Sequence, residues 1–255
     1  MINSRVIPVL LLRDKGLYKG IRYRDHQYVG DPINTIKIFN EKYVDELILI
    51  NISGEPYRDT GYLKEVISEA FIPITFGGGV VSIEQAERLF YLGVEKITVN
   101  TQAVLDRMFV KNLVKTFGSQ SIVFSLDYKK KGWSGYRVCI RNGSEKTVYT
   151  PEAMAKIMED AGVGEILLND IDRDGTRQGY NLAMIQRISQ SVRVPVIAGC
   201  GAGSLEHFKE ALAHGADACA AGSYFVYHGV HRAVLISYLS KQEKDHLLKN
   251  KRVLK

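Results

Sequence analysis

Short apolar runs alternate with amphipathic segments along most of the chain. The runs are rich in Val, Ile and Leu, whereas the segments between them have the three- to four-residue spacing of helices. Strands that are apolar on both faces and are followed by helices are typical of parallel sheets. Eight such strands in 255 residues predict a closed (β/α)8 barrel, an α/β fold. The predicted strands are Val6–Leu12, Leu47–Ile52, Ile72–Phe76, Ile97–Asn100, Ile122–Asp127, Ile166–Asn169, Val194–Ala198 and Ala218–Ala221.

The segments between the strands predict helices, several of which end at a glycine. The longest stretch without helical spacing, Tyr128–Thr150, is predicted to be a loop that contains a small hairpin. The predicted helices include Ile83–Leu92, Ala103–Phe117, Pro151–Ala161, Leu182–Ser189 and Leu205–Ala213.

One pattern of strand, Gly-rich turn and Ser-started helix occurs twice. The copy that begins at Ile72 aligns with the copy that begins at Val194 at an offset of 122 residues (195 − 73). Self-similarity at a fixed offset indicates an internal repeat. We therefore predict one barrel domain, 1–255, made of two half-barrels at about 1–118 and 119–255. The matched pairs are Pro73 and Pro195, Gly79 and Gly201, Ser82 and Ser204, Glu84 and Glu206, and Gly93 and Gly215.

The repeated turn has the composition of a phosphate site. Glycines at the end of a strand let backbone N–H groups approach an anion, and the start of the next helix adds the positive end of its dipole. Two such turns predict a ligand that carries two phosphates. The net charge of +6 also suits a phosphorylated small molecule.

Composition excludes several other classes of protein. No apolar stretch approaches the roughly 20 residues of a membrane span, and the N-terminus does not resemble a signal peptide. The three cysteines form no CxxC pair, which favours reduced thiols in a cytoplasmic protein. The basic segment 241–255 has no interleaved aromatic residues, so we expect a solvated amphipathic helix there and no nucleic-acid or membrane partner.

Asp127 is the strongest candidate for chemistry, because it is a carboxylate at the end of an apolar strand. A carboxylate in that position must be solvated, paired or functional. The structural alternative is a salt bridge to the basic loop Lys129–Lys131, whereas general acid/base catalysis is the favoured interpretation.

Four charged residues stand at the starts of predicted strands. Side chains alternate along a strand, so these charges share a face with the strand tips on which the candidate site residues lie. They either form a ring across the floor of the barrel or remain exposed, and composition alone favours exposure. The four are Arg5, Glu46, Lys96 and Glu165.

Several motifs together resemble the cyclase subunit of imidazole glycerol phosphate synthase. The resemblance extends from Arg5 to about His228, and IDRDGT is its most specific part. The motifs are GDPI (Gly30–Ile33), VDELILI (Val44–Ile50), FGGGV (Phe76–Val80), VNTQAV (Val99–Val104), FGSQSIVFSLD (Phe117–Asp127), GEILLNDIDRDGTRQGY (Gly164–Tyr180) and GAGSLEHF (Gly201–Phe208).

The resemblance implies a barrel that works with a separate glutaminase and without a metal or cofactor. The glutaminase docks at the N-terminal face, and ammonia passes through a charged gate and along the barrel. The gate maps onto the four strand-start charges, and Lys19 matches a substrate-facing loop position. The implied phosphate-binding residues are Gly79, Asn100 and Thr101 in one half and Asp174, Gly175, Gly201, Gly222 and Ser223 in the other.

The chain departs from this family at two acidic positions. The family moves protons with an aspartate on strand one and another on strand five; the second is Asp127, but the first is Leu11. A further acidic position is Asn51, and Asp14 has the wrong strand parity to substitute for Leu11. Whether the chain is an enzyme is therefore open, although a lyase- or cyclase-type subunit is favoured.

Leu11 together with the retained charges resembles a paralogous branch associated with surface-polysaccharide (lipopolysaccharide) synthesis. Such a barrel would supply ammonia to a third, ATP-dependent protein that amidinates a nucleotide-linked acetamido sugar. Two alternatives remain: a genuine cyclase/lyase of histidine biosynthesis, and a non-catalytic docking scaffold.

Overall fold

Eight parallel strands form a closed barrel in the computed structural model, which describes residues 4–250. The first strand pairs with both the second and the eighth, so the sheet closes on itself. The predicted (β/α)8 barrel is therefore confirmed. The strands are β1 (Arg5–Arg13), β2 (Leu47–Asn51), β3 (Ile74–Gly77), β4 (Lys96–Val99), β5 (Ile122–Lys130), β6 (Glu165–Asp170), β7 (Val196–Gly199) and β8 (Ala218–Ala221).

Eight main helices separate these strands or follow the last of them. Polar N-caps begin most of them; for example, Ser82 accepts a hydrogen bond from the Gln85 N–H. No helix among residues 4–250 is long and apolar enough to cross a membrane. The helices are α1 (Pro32–Glu41), α2 (Thr60–Ser68), α3 (Ile83–Tyr91), α4 (Arg107–Phe117), α5 (Pro151–Ala161), α6 (Leu182–Ser191), α7 (Leu205–Ala213) and α8 (Lys241–Asn250).

The predicted helix Ala103–Phe117 is wrong as a single element. A short helix, Thr101–Leu105, ends at Asp106, whose backbone is extended with φ −137°. The Asp106 carboxylate then accepts hydrogen bonds from two N–H groups of α4 and begins that helix anew. Buried apolar residues continue at helical spacing across the break, from Ala103 to Val110 and Leu113, so the sequence pattern does not reveal it.

The loop after β1 contains a hairpin that apolar periodicity does not predict. Its strands are Gly16–Ile21 and Arg24–Gly30, and the first of them pairs with the end of β1. The second is mostly exposed, so it has little apolar alternation to reveal it. The hairpin predicted within Tyr128–Thr150 is confirmed, since Tyr136–Ile140 pairs antiparallel with the extended end of β5.

Two apolar clusters make up the core. The larger cluster lies between the barrel and the helices and includes Phe39, Phe124 and Phe208. The smaller cluster lies inside the barrel and comes from alternate positions of six strands. Its buried members are Ile7, Ile48, Val123, Leu167, Ile197, Ala218 and Ala220.

The repeated segments share local geometry as well as sequence. Ser82 and Ser204 both accept a hydrogen bond from the N–H three residues ahead, and Gly93 and Gly215 both have φ +101°. The equivalence of the strand–turn–helix units therefore extends to their caps. The division into half-barrels at 118 and 119 stays a prediction, and residues 1–3 and 251–255 lie outside the described part of the chain.

Candidate functional site

The four strand-start charges meet at the N-terminal end of the barrel as a closed ring of alternating sign. The Arg5 guanidinium donates to Glu46 at 2.5 Å and to Glu165 at 2.7 Å. The Lys96 ammonium lies 3.3 Å from Glu46 Oε2 and 3.1 Å from Glu165 Oε2. Thr75 adds a hydrogen bond of 2.8 Å to the Glu46 carboxylate. Of the two interpretations that the sequence leaves open, the ring is the one found in the structure.

The barrel interior beyond this ring is almost wholly apolar. The smaller core cluster fills it, and Val9 and Ile50 pack against that cluster toward the C-terminal ends of the strands. One polar group breaks the pattern: the buried Thr98 Oγ1 has no hydrogen-bond partner among the described residues. An apolar interior of this kind disfavours ions, because transferring a charge out of water is costly.

A cavity of about 160 Å³ lies at the C-terminal ends of the strands, opposite the ring. Its floor is formed by Val9, Ile50 and Leu167, which border the apolar interior. Loops contribute most of the polar groups. The polar lining residues are Lys19, Tyr23, His26, Ser125, Asp127, Asn142, Asn169, Asp174, Cys200 and Ser223.

Asp127 is held inside this cavity by hydrogen bonds. Its Oδ1 accepts from the Ser125 hydroxyl at 2.8 Å and from the Asn169 amide at 3.0 Å. Tyr23 lines the same cavity. Burial raises the pKa of Asp127 to about 6, and these hydrogen bonds oppose that rise. A carboxylate with a pKa near neutrality is suited to proton transfer; the predicted alternative, a salt bridge to Lys129–Lys131, is not formed.

Lys19 lies next to Gly222, the residue that follows β8. Its ammonium donates to the Val9 carbonyl, and a Cβ atom on Gly222 would stand 2.2 Å from Lys19 Nζ. Burial lowers the pKa of Lys19 to about 8, whereas the nearby Asp174 acts in the opposite direction. A buried cation beside glycines and the Ser223 hydroxyl is a suitable arrangement for an anion.

The structure brings together the predicted phosphate-binding residues of the second half. They all line the cavity: Asp174, Gly175, Gly201, Gly222 and Ser223. The predicted residues of the first half do not line it. The Asn100 amide donates to the carbonyls of Ser125 and Cys139, and the Thr101 hydroxyl accepts the Arg141 N–H at 2.9 Å. Gly79 instead abuts the Glu55 carbonyl, 2.5 Å from where its Cβ would be.

The chain departs from the family at Leu11 and Asn51, and neither position places a second carboxylate beside Asp127. Leu11 lines the cavity with its apolar side chain. The Asn51 amide is committed to the carbonyls of Glu55 and Gly78. Asp14 belongs to a separate surface pocket. The expectation that Asp14 does not replace Leu11 agrees with this geometry.

Four polar cavity residues were not singled out from the sequence: Tyr23, His26, Ser125 and Asn142. Tyr23 and His26 belong to the unpredicted hairpin, so only its docking brings them to the barrel. Cys200 has φ +66°, and its Sγ lies 3.8 Å from Asp174 Oδ1. At the offset of 122 residues Cys200 matches Gly78, which has φ +88°, so the glycine in the first copy was the sequence signal of an unusual turn at Cys200.

Comparison with known proteins identifies the lineage of this barrel. A profile of the family described as "Histidine biosynthesis protein" matches residues 5–232. A Pseudomonas aeruginosa protein, provisionally named imidazole glycerol phosphate synthase subunit hisF2, is 48% identical over 249 residues, which cover 96% of this chain and 99% of that protein. The chain belongs to the HisF-type histidine biosynthesis family.

Other HisF-type relatives are similar over nearly their full length. A Leptospira borgpetersenii protein, provisionally named imidazole glycerol phosphate synthase subunit HisF, is 41% identical over 252 residues, with 97% of this chain and 99% of that protein covered. The imidazole glycerol phosphate synthase subunit HisF of Pyrobaculum aerophilum is 40% identical over 248 residues, with 94% and 97% covered. Family membership therefore applies to the whole barrel rather than to a fragment of it.

Proposed function

We propose that this chain is the barrel subunit of a two-component glutamine amidotransferase. It takes ammonia from a glutaminase subunit at the ring of charges and conducts it through the barrel to the cavity at the other end. The observation that carries the proposal is the order of layers along the barrel: a closed charge ring, an apolar interior, then a polar cavity with Asp127. Neutral ammonia can cross an apolar interior at far lower cost than ammonium.

The N-terminal face has features that suit a protein partner. Three aromatic side chains lie at or just after the C-terminal ends of helices that lead back to this face, with exposed fractions of 84% for Tyr43, 87% for Phe71 and 88% for Tyr91. Tyr43 precedes β2, Phe71 precedes β3 and Tyr91 precedes β4, and all three strands begin at the N-terminal face. Exposed aromatic residues are frequent anchors of protein interfaces, so we assign the glutaminase to this face.

The cavity supports binding of a phosphorylated small molecule. Lys19 and Ser223 line the cavity beside the end of β8, where an anion would also raise the pKa of the lysine again. In the first set of predicted residues, the side chains of Asn100 and Thr101 are engaged within the protein. We therefore propose that one phosphate binds to the second set of predicted residues. Phosphate binding by the first set stays a prediction.

For the ammonia acceptor we propose a nucleotide-linked acetamido sugar that is bound to a third, ATP-dependent protein. Leu11 favours this acceptor, because a leucine in the cavity can neither give nor take a proton during ring closure. The barrel would then deliver ammonia rather than complete a cyclisation. The proposed site of action is the cytoplasm, where glutamine and nucleotide sugars are made available together.

A second candidate is the cyclase/lyase of histidine biosynthesis. Asp127 favours it, since its pKa of about 6 suits a general acid or base. The names of the relatives favour it as well. In this case the cavity itself would hold the ribulosyl-carboxamide bisphosphate that reacts with ammonia.

One assay separates the two acceptors. The purified barrel is incubated with the ribulosyl-carboxamide bisphosphate and excess ammonium salt, and imidazole glycerol phosphate is measured by mass spectrometry. We expect no turnover from the wild type and a gain of at least about tenfold from Leu11→Asp over Leu11→Asn, which adds polarity without a proton-transfer group. Wild-type turnover at a biosynthetic rate would instead assign the chain to the histidine pathway.

The docking-scaffold alternative makes a different prediction for Asp127. If the barrel only holds partners together, Asp127→Ala should leave both complex formation and ammonia transfer intact. Loss of ammonia transfer in a complex that still assembles would exclude the scaffold.

A further inference from the structure

Lys19 is a buried amine with few partners inside the protein. It lies on the first strand of the hairpin after β1, is 6% exposed and lines the cavity. Among residues 4–250 it forms no salt bridge, and the Val9 carbonyl is the only hydrogen-bond acceptor of its ammonium group. Lysines are almost never this buried unless they are paired, and an ammonium group has three donors. The remaining donor positions of Lys19 are therefore available to a ligand in the cavity.

Gly222 leaves the space that this amine occupies. A Cβ atom on Gly222 would lie 2.2 Å from Lys19 Nζ and 2.8 Å from Lys19 Cε, so any other residue would displace the lysine side chain. Gly222 follows β8 directly and precedes Ser223, which is buried and also lines the cavity. The barrel therefore holds the Lys19 amine in the wall of the cavity, at the carboxyl end of β8, rather than in solvent.

Burial makes this amine easier to deprotonate than the amine of an exposed lysine. It lowers the pKa of Lys19 to about 8, and the charges of Asp174 and Cys200 oppose that change. At neutral pH roughly a tenth of the Lys19 side chains are then uncharged, compared with about one in two thousand for an exposed lysine. Only the uncharged amine has the electron pair with which lysine attacks a carbon atom.

Two carboxyl groups in the same cavity are suited to proton transfer. Asp174, in the loop after β6, accepts the Tyr23 N–H at 3.2 Å through Oδ2, and its Oδ1 lies 3.8 Å from Cys200 Sγ. Burial raises the pKa of Asp174, and it raises the pKa of Asp127 to about 6. Carboxyl groups with raised pKa values both accept and donate protons near neutral pH. Asp174 can therefore take a proton from the Lys19 ammonium, including when a bound phosphate favours the charged form.

We propose that the Lys19 amine forms an imine with the carbonyl carbon of a small phosphorylated aldehyde or ketone that binds in the cavity. A bond forms between Nζ and the carbonyl carbon as the C=O π bond opens. The two protons of the amine and the carbonyl oxygen then leave together as water, and a C=N double bond remains. Asp174 transfers these protons from nitrogen to oxygen, and the step consumes no oxidant or reductant. This activity is separate from the proposed delivery of ammonia.

The class of ligand follows from the groups around the amine. Gly201 and Ser223, which line the cavity, belong to the set of residues proposed to bind one phosphate. A second anionic group would be repelled by the Asp127 and Asp174 carboxylates in the same lining, whereas a neutral carbonyl group would not. A cavity of about 160 Å³ also admits only a small molecule. A small phosphorylated aldehyde or ketone combines these properties.

The test traps the imine by reduction. The full-length barrel is incubated at neutral pH with dihydroxyacetone phosphate and sodium cyanoborohydride, which reduces an imine to a stable amine, and the labelled lysine is located by peptide mass spectrometry. Lys129 is the matched control, because its ammonium also donates to a backbone carbonyl, that of Gly143 at 3.2 Å, but does not line the cavity. Glycerol 3-phosphate, which has the phosphate but no carbonyl group, is the competitor. Neither glutaminase nor ammonia is present, so the result does not depend on the proposed function.

We expect Lys19 to be labelled at least about tenfold faster than Lys129, because a bound ligand holds its carbonyl group beside the amine. Excess glycerol 3-phosphate should slow the labelling of Lys19 but not that of Lys129. Lys19→Arg should abolish the fast label, and Lys129→Arg should retain it. Labelling of Lys19 no faster than that of Lys129, or labelling of Lys19 that excess glycerol 3-phosphate does not slow, would overturn the inference. Both of these measurements use the wild type, so they do not depend on the folding of a variant.

Discussion

The carboxyl group of Asp127 is 7% exposed, and burial raises its pKa to about 6, above the value of roughly 3.9 expected in the unfolded chain. The folded protein therefore holds this proton more tightly than the unfolded chain between about pH 4 and pH 6. Stability from the protonated group is complete below the unfolded pKa and is lost as the pH rises through the folded pKa. At neutral pH the fold carries Asp127 at a cost in stability, as is common for functional residues.

Replacement of Asp127 by Asn should recover that stability. The gain in the free energy of unfolding of Asp127→Asn over the wild type should grow by about 2–3 kcal/mol between pH 4 and pH 7. Urea unfolding at several pH values measures it. Asp160→Asn, at an exposed position on α5, is the control and should give a difference that is nearly independent of pH. A gain that stays constant with pH would show that Asp127 is ionised as easily in the fold as in the unfolded chain.

A site residue can be predicted from the sequence only if its local surroundings in the chain distinguish it from other residues of its type. Asp127 stood out because a charged group at the end of an apolar strand is rarely without a role, whereas Lys19 stood out only through the family resemblance. Tyr23 did not stand out, since a tyrosine in a polar loop has no local property that distinguishes it from exposed neighbours such as Tyr28. Tyr23 and Asp127 are 104 positions apart in the chain (127 − 23), and they line the same cavity only in the folded barrel.

At the scale of elements, the turns after β3 and β7 depend on a close approach between backbones. Gly201 has φ +111°, and a Cβ there would stand 2.2 Å from the Gly179 carbonyl. Gly54 also has a positive φ, of +85°, but nothing lies within 4 Å of its Cβ position. Alanine substitutions at these two glycines therefore distinguish the free-energy cost of the backbone conformation from the cost of the close contact.

Gly201→Ala should lower the free energy of unfolding more than Gly54→Ala. The exposed Gly54→Ala should cost about 1–2 kcal/mol for the left-handed backbone alone. Gly201→Ala should cost a further 1–3 kcal/mol, because the added methyl group overpacks against a carbonyl. Urea denaturation of both variants measures the difference. Equal losses of unfolding free energy in the two variants would mean that the Gly179 backbone moves away from the new methyl group at no cost.

Element prediction was most accurate where burial gives a clear period. The limits of α5 and α7 agree with the prediction to the residue, as do those of β8. The break at Asp106 was missed because an N-cap inside an apolar period looks like an ordinary polar position. The hairpin after β1 was missed because one of its strands faces solvent and has no apolar alternation.

On the scale of the whole molecule, the two ends of the barrel differ in ways that suit different partners. The N-terminal end combines the charge ring with the exposed Tyr43, Phe71 and Tyr91. The C-terminal end carries the cavity and the fully exposed Trp133 of the insertion after β5. Binding of the proposed glutaminase should therefore depend on the exposed aromatic residues of the N-terminal end and not on those of the C-terminal end.

Phe71→Ala should weaken binding of the glutaminase subunit by about tenfold or more, because a buried aromatic anchor contributes at least about 1–2 kcal/mol. Trp133→Ala removes an even larger exposed ring from the opposite end and should leave binding unchanged. Titration of the barrel with its glutaminase by calorimetry measures both. The opposite ranking of the two variants would move the docking surface to the cavity end.

The order of eight strands and the position of Asp127 could be predicted from the sequence, as could the fact that the strand-start charges share a face with the strand tips. These features follow from a period of two along each strand and from apolar burial, which are local properties. Only the tertiary structure decided that the charges close into a ring, that Lys19 lies against Gly222 and that Tyr23 and Asp127 line one cavity. Each of these contacts joins residues far apart in the chain, and such contacts exist only once the barrel has closed and the hairpin has docked on it.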